Sequence, residues 1–214
     1  MADSLEELEA QLGPRKESGK CVSEWMYQAE SKFLFELAKR LRPGQRVVEI
    51  GIFGGADLAL FALEACDGVE IVGIDDWSNE TRGSEYTRRK NPTGEWVESV
   101  DLRSYCLWNL ESCGVREKVD LVERSSHIVG KTWNLPIDVL IIDGDHSVKG
   151  AKSDLEDFSP WVRRGGVLVM DDVGSNGDVR QGFYEWANGE NPQSWKEIKR
   201  WEMPEGKAVV LEKA

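Results

Sequence analysis

A chain of 214 residues is long enough for one α/β domain with a substantial core, and too short for two ordinary domains plus a linker. Its 39 acidic against 27 basic residues give a formal net charge of −12, which repels nucleic acid and anionic membrane; Arg88-Arg89-Lys90, the only basic triplet, is too short to reverse this. No stretch approaches membrane-spanning length, the opening residues show neither a basic leader nor an apolar core, and Cys21, Cys66, Cys106 and Cys113 lack the close pairing of a zinc site or disulfide framework, so a soluble, cytoplasmic protein with free thiols is expected.

In chain order, Leu5, Leu8 and Leu12 share a helical face after a Ser4-x-x-Glu7 capping box, and Gly13-Pro14 ends the segment. Residues 1–22 read either as a frayed tail or as an arm that packs on a second subunit, which would make the protein a homo-oligomer. Met26, Ala29, Phe33, Leu37 and Leu41 then predict a helix over 23–41. Residues 46–62 follow as a buried strand, a glycine turn and the start of a helix. Val47, Val48 and Ile50 suit a strand covered on both faces, and Gly51, Gly54 and Gly55 let the backbone turn sharply and approach a ligand. A helix opening after such a turn points free N–H groups over the strand end. Glu49 supplies the opposite polarity, accepting from an amine or sugar hydroxyl, which argues against simple phosphate binding.

The arrangement resembles the first motif of class I S-adenosylmethionine-dependent methyltransferases, acid-x-Gly-x-x-x-Gly, here Glu49, Gly51 and Gly55, with Phe53 where the commoner form has a third glycine. The dinucleotide fingerprint fits less well, since it wants glycines at 51, 53 and 56 and this chain has Phe53 and Ala56. A second strand over 69–76 ends in Asp75 and Asp76. An acid there faces the ribose of a bound nucleoside, of S-adenosylmethionine and NAD equally, and Asp75 is the expected partner. The polar stretch 77–101 reads as a lid or substrate loop in which Tyr86 and Trp96 cover a ligand or pack the loop down. A helix over 102–113 and a third strand over 119–123 follow; in the resemblance, Ser125 and Ser126 border the adenine.

Two further apolar runs end abruptly in acid: 137–142 runs into Asp143-Gly144-Asp145-His146, and 166–170 into Asp171-Asp172. Val148, Ala151, Leu155 and Phe158 mark a helix between them, and residues 163–166 a turn, so the unit is βαβ. Adjacent strands lie about 4.8 Å apart, which brings Asp143, Asp171 and Asp172 within reach of one another. Three such carboxylates call for a cation, and an all-oxygen set favours Mg²⁺ or another hard divalent ion. Together these features resemble the metal-dependent small-molecule O-methyltransferases, in particular the macrocin-type antibiotic-sugar branch, over roughly residues 25–212. The resemblance implies that Asp143, Asp171 and Asp172 hold the metal, that Asp143 also borders the cofactor, and that a base lies at Asp145 or His146. Catechol-type relatives carry lysine at the place of His146 and Asp-Asn at the place of Asp171-Asp172, so a catechol is not the expected acceptor. His146 suits the base because its ordinary pKa lies near neutrality.

Residues 173–195 are polar and glycine-rich, with a short helix around Phe183, Tyr184 and Trp186 that should wall the substrate pocket. Strands over 198–201 and 208–211 close the chain as a hairpin. The expected fold is α/β, a doubly wound, mostly parallel seven-stranded Rossmann-like sheet over residues 23–214 with a C-terminal antiparallel hairpin. The expected activity is transfer of the S-adenosylmethionine methyl group to a hydroxyl of a small molecule, assisted by Mg²⁺. A Rossmann-fold NAD(P)-dependent oxidoreductase and a non-catalytic S-adenosylmethionine-binding protein are the alternatives.

Overall fold

The computed structural model describes residues 27–78, 88–90, 96–98, 102–189, 194–204 and 206–214. The expected arm at 1–22 and Tyr86 lie outside them. The elements are α1 (Gln28–Ala38), β1 (Arg46–Ile50), α2 (Ala56–Glu64), β2 (Glu70–Ile74), β3 (Arg88–Lys90), β4 (Trp96–Glu98), α3 (Leu102–Ser112), β5 (Val119–Val122), α4 (Ser126–Gly130), β6 (Ile137–Ile142), α5 (Val148–Phe158), β7 (Val162–Met170), α6 (Gly177–Gly189), β8 (Trp195–Arg200) and β9 (Val209–Lys213).

Seven strands form one sheet in the order β5-β2-β1-β6-β7-β9-β8. Pairing is parallel from β5 to β7, and β9 runs antiparallel to both β7 and β8. This is the expected doubly wound sheet with its antiparallel hairpin. Because strand side chains alternate, residue parity sorts the core. Val47, Ile71, Val139, Ile141, Val167 and Val169 pack on one face with Leu34, Phe35, Leu58 and Phe61 of α1 and α2. Val48, Ile50, Val72, Leu140, Ile142 and Leu168 pack on the other with Leu155, Phe158, Phe183 and Trp186 of α5 and α6. Phe61 and Leu155 are fully buried, each stabilising by about 1.5–3 kcal/mol.

Several boundaries differ from the sequence reading. The turn expected at 163–166 lies within β7: Ile137 pairs Val162 and Val139 pairs Val167, so four residues of β7 oppose Asp138 alone. The Asp138 carboxylate explains the excursion, accepting from Arg46 N at 2.8 Å, Gln45 Nε2 at 3.0 Å and Arg163 Nη1 at 3.3 Å. The short helix expected around 183–186 is the 13-residue α6. The hairpin strands are longer than expected, and Trp201 leaves its strand to meet Phe33 edge-on, ring centroids 5.7 Å apart. Within 77–101, the described residues include a short antiparallel ribbon, β3 with β4.

The registers bring three strand ends level: Ile50 pairs Ile142, and Ile142 pairs Met170. The ladders run on past them, Asp143 N donating to Ile50 O at 2.8 Å and Asp171 N to Ile142 O at 2.9 Å.

Candidate active site

A cavity of about 780 Å³ opens over these strand ends. At one end stands the glycine turn. Gly51 has φ +82°, and a Cβ there would fall 2.0 Å from the Asp143 carbonyl oxygen, so glycine is required by both conformation and space. Gly55, at φ +75°, caps α2, and its Cβ would meet Cys106 Sγ at 2.8 Å. Phe53 has φ +50°. The backbone at the position of the motif's missing glycine thus keeps the left-handed conformation, held with a larger side chain.

Asp75 organises this turn. Its Oδ2 accepts from Ile52 N at 2.8 Å and Phe53 N at 3.3 Å, and its Oδ1 from Trp77 N at 2.7 Å. The residue expected to face a ribose is therefore also the clasp joining β2 to the turn. Glu49 is 4% exposed, and its Oε2 has no hydrogen-bond partner. Burial pushes its pKa well above the usual carboxylate range, and the neighbouring Asp57, Asp143 and Asp75 add to the rise. Ser125 and Ser126 line the cavity beyond β5, and Ser126 Oγ donates to Asp154 Oδ1 at 2.6 Å.

At the other end the structure divides the carboxylates that the sequence puts together. Donor atoms of Asp143, His146 and Asp172 converge within 4.8 Å of one another. His146 Nε2 lies 3.0 Å from Asp143 Oδ1 and 3.3 Å from Asp172 Oδ2. Asp171 is not in that set. Its Oδ2 meets Lys207 Nζ at 2.7 Å, and its Oδ1 is buried without a partner. Lys207 Nζ also lies 3.0 Å from Asp172 Oδ1. Of the expected trio Asp143, Asp171 and Asp172, the structure thus brings Asp143 and Asp172 together with His146, and sets Asp171 against the ammonium group of a hairpin lysine.

Burial raises the Asp171 pKa well above its ordinary value, with Asp143 adding to the rise and Lys207 opposing it. For Asp172, burial is outweighed by Lys207, Ser175 and His146, and its pKa falls below the ordinary value. The hydrogen bond that His146 donates to Asp143 lifts its pKa against the effect of burial, and the charges of Asp143 and Asp172 lift it further. For Lys207, burial opposes the charged form, but Asp143, Asp171 and Asp172 prevail and raise its pKa. Asp172 has φ +58°, a conformation that aspartate tolerates better than most residues. His146 does not cap α5. Ser147 does, accepting from Gly150 N at 3.0 Å, while Asp145 Oδ1 accepts from Ser147 N at 2.9 Å. Asp145 thus braces the helix entry, and His146 is free to reach the acids.

Among the cavity residues that escape the sequence reading are Lys207, Glu30 and Asp57. Asp57 lies in the first turn of a helix whose only other charged residue is the terminal Glu64, a local signal in the sequence. Its Oδ1 is buried without a partner, and burial, then Asp143 and Glu30, push its pKa up to about 7. Glu30 and Lys207 carry no such signal, because their positions depend on packing between α1 and the hairpin.

Residues 48–173 match the methyltransferase domain family. The chain belongs to that family. With its strand order, it is a class I S-adenosylmethionine-dependent methyltransferase. Among solved structures, Rv0187 from MTB with cofactor bound is similar at 21% identity, with 87% of this chain and 79% of that one covered and a TM-score of 0.62. The O-methyltransferase TomG of Streptomyces achromogenes, involved in tomaymycin synthesis and solved with S-adenosylmethionine, is 18% identical over 87% and 79% of the two chains, TM-score 0.60. An O-methyltransferase of Bacillus cereus in complex with S-adenosylhomocysteine is 16% identical over 86% and 80%, TM-score 0.58. At these identities the structural likeness establishes the fold of the methyltransferase. Among the described residues, no helix is long and apolar enough to cross a membrane.

Proposed function

We propose that this methyltransferase transfers the methyl group of S-adenosylmethionine to a hydroxyl of a small molecule, a sugar, natural product or similar, in the cytoplasm, with a divalent cation at the acid cluster. The observation that carries the reading is the single cavity joining the glycine turn to that cluster. At the turn, Glu49 Oε2 is a buried acceptor without a partner, suited to the ammonium of the cofactor's amino-acid end. Asp75, at the end of β2, lies where the ribose hydroxyls would sit, and Ser125 and Ser126 border the adenine. The family match sets aside the nicotinamide-dependent oxidoreductase.

The donor set fits a divalent ion: two carboxylates and an imidazole converge, the acids nearby outnumber the cations, and the imidazole widens the choice from Mg²⁺ to transition-metal ions. Asp143, His146 and Asp172 would hold it, and it would supply the positive charge that lowers the pKa of an acceptor hydroxyl. This chain's residues orient the acceptor and move its proton. While Nε2–H of His146 donates to Asp143 and Asp172, the proton-accepting lone pair is on Nδ1, and the two carboxylates stabilise the imidazolium that forms. His146 would serve either to hold the ion or to take the acceptor's proton, since a neutral imidazole that coordinates through one nitrogen carries its proton on the other. Asp145 is the second candidate for the base, and its oxygen on Ser147 N ties that role to the helix entry.

Calorimetric titration with S-adenosylhomocysteine, with NAD⁺ as control, tests the cofactor, and a Mg²⁺-dependent screen of hydroxylated acceptors tests the reaction. One-site binding of S-adenosylhomocysteine alone is expected. Binding of NAD⁺ alone would end the reading.

A further inference from the structure

We propose that Lys207 is a cation the acid cluster carries for itself, and that it exchanges with a divalent ion for Asp171 and Asp172 instead of standing beside one. This rests on the cation-binding reading above. The Lys207 ammonium already makes the two contacts that a bridging metal would make, 2.7 Å to Asp171 Oδ2 and 3.0 Å to Asp172 Oδ1. Asp171 offers one more donor atom, Oδ1, buried and without a partner. The trio that converges without Asp171 shares Asp172 with the lysine, Oδ2 facing His146 and Oδ1 facing Nζ. An ion at that trio therefore sits close to a like charge, and the repulsion weakens its binding.

The backbone of Lys207 is held in place. Lys207 N and Ala208 N donate to Glu30 Oε1 at 2.5 and 2.9 Å, Gly174 N donates to Lys207 O at 2.7 Å, and Trp201 N donates to Ala208 O at 2.9 Å. Only the four-carbon stem can move, so the exchange is a swing of Nζ away from Asp171 and Asp172 into the cavity that Lys207 lines. The lysine also shields the acids from one another while no metal is bound, so the metal-free fold depends on it.

The test is a Mn²⁺ titration of the full chain, by calorimetry and by loss of the free-ion electron paramagnetic resonance signal. It compares wild type, Lys207→Met, Lys207→Gln and Asp171→Asn, with S-adenosylhomocysteine binding as the check that each variant is folded. Both lysine variants are expected to bind Mn²⁺ at least about tenfold tighter, since a like charge leaves and a carboxylate is released. Their thermal midpoints should fall without Mn²⁺ and rise with it by more than the wild-type midpoint does. Asp171→Asn should weaken Mn²⁺ binding by at least about tenfold, because the exchange makes the Asp171 carboxylate a ligand of the ion. Unchanged or weaker Mn²⁺ binding in the lysine variants, or wild-type binding in Asp171→Asn, would overturn the exchange. Absence of Mn²⁺ binding in every variant would overturn both the exchange and the metal-assisted reading. Failure to bind S-adenosylhomocysteine would instead count against the cofactor assignment.

Discussion

Asp75 at one end of the cavity and Asp171-Asp172 at the other occupy matching places, each just past a parallel strand, and are satisfied by different means. Asp75 is satisfied by backbone: three N–H groups from the turn and the following residue close on its two oxygens. Asp171 and Asp172 are satisfied by a side-chain cation delivered from residue 207, across the hairpin. Backbone donors are fixed by the fold and rigid, which suits a site that binds one cofactor in one pose. A lysine stem can move, which suits a site whose occupant changes during a reaction cycle.

The comparison predicts that lesions at the turn act on folding and binding together, whereas lesions at the cluster act mainly on chemistry. Replacement of His146 by glutamine should lower turnover by about 10²–10⁴-fold while leaving the S-adenosylhomocysteine dissociation constant within about threefold of wild type. If Asp145→Asn gives the larger loss, the two residues exchange roles. Gly51→Ala should destabilise the protein by about 3 kcal/mol in urea unfolding and abolish cofactor binding, because its Cβ has no room against Asp143 O. Asp75→Asn turns an amide N–H₂ toward backbone donors, and is expected to cost about 2 kcal/mol.

A pH effect separates the buried acids from both ends. Burial pushes Asp57 and Asp154 up to about 7 from an ordinary value of 3.8. Between those values the folded state keeps protons that the unfolded state has released, so stability is full at low pH and declines as pH rises from about 4 through about 7. The thermal midpoint should therefore be higher at pH 5 than at pH 8, and Asp57→Asn should narrow the gap. The smallest effect is expected at Phe53→Gly, where relief of a positive φ, about 1 kcal/mol, is offset by the greater freedom of glycine in the unfolded chain. A change beyond about 1 kcal/mol in either direction would show that the Phe53 ring does more than occupy the turn.

What was legible in the sequence follows the same division. The strand, turn and helix at 46–62 were readable because Val47, Gly51, Gly55 and Leu58 are determined by near neighbours and by backbone conformation. The strand-end acids Asp143, Asp171 and Asp172 were readable because apolar runs stop just before them. The pairing of Asp171 with Lys207 was not, because the reach of Lys207 is fixed by the register of β9 against β7 and by Glu30 on α1. Likewise, the excursion in β7 resembled a turn in Arg163-Arg164-Gly165-Gly166, and only the Asp138 contacts explain why the strand runs through it. Local pattern carries strand ends well and long-range side-chain pairing poorly.

Glu30 and Lys207 are 177 positions apart, and β9, the strand latest in the sequence, lies inside the sheet between β7 and β8. A nascent chain can therefore assemble the glycine turn early on the ribosome, but it cannot complete the acid cluster until β9 has emerged and inserted. Until then Asp171 and Asp172 lack their lysine, and the inner edge of β7 is open to wrong partners. The glycine turn should thus form early in synthesis, and the pairing of Asp171 and Asp172 with a lysine only late, with the arrival of residue 207.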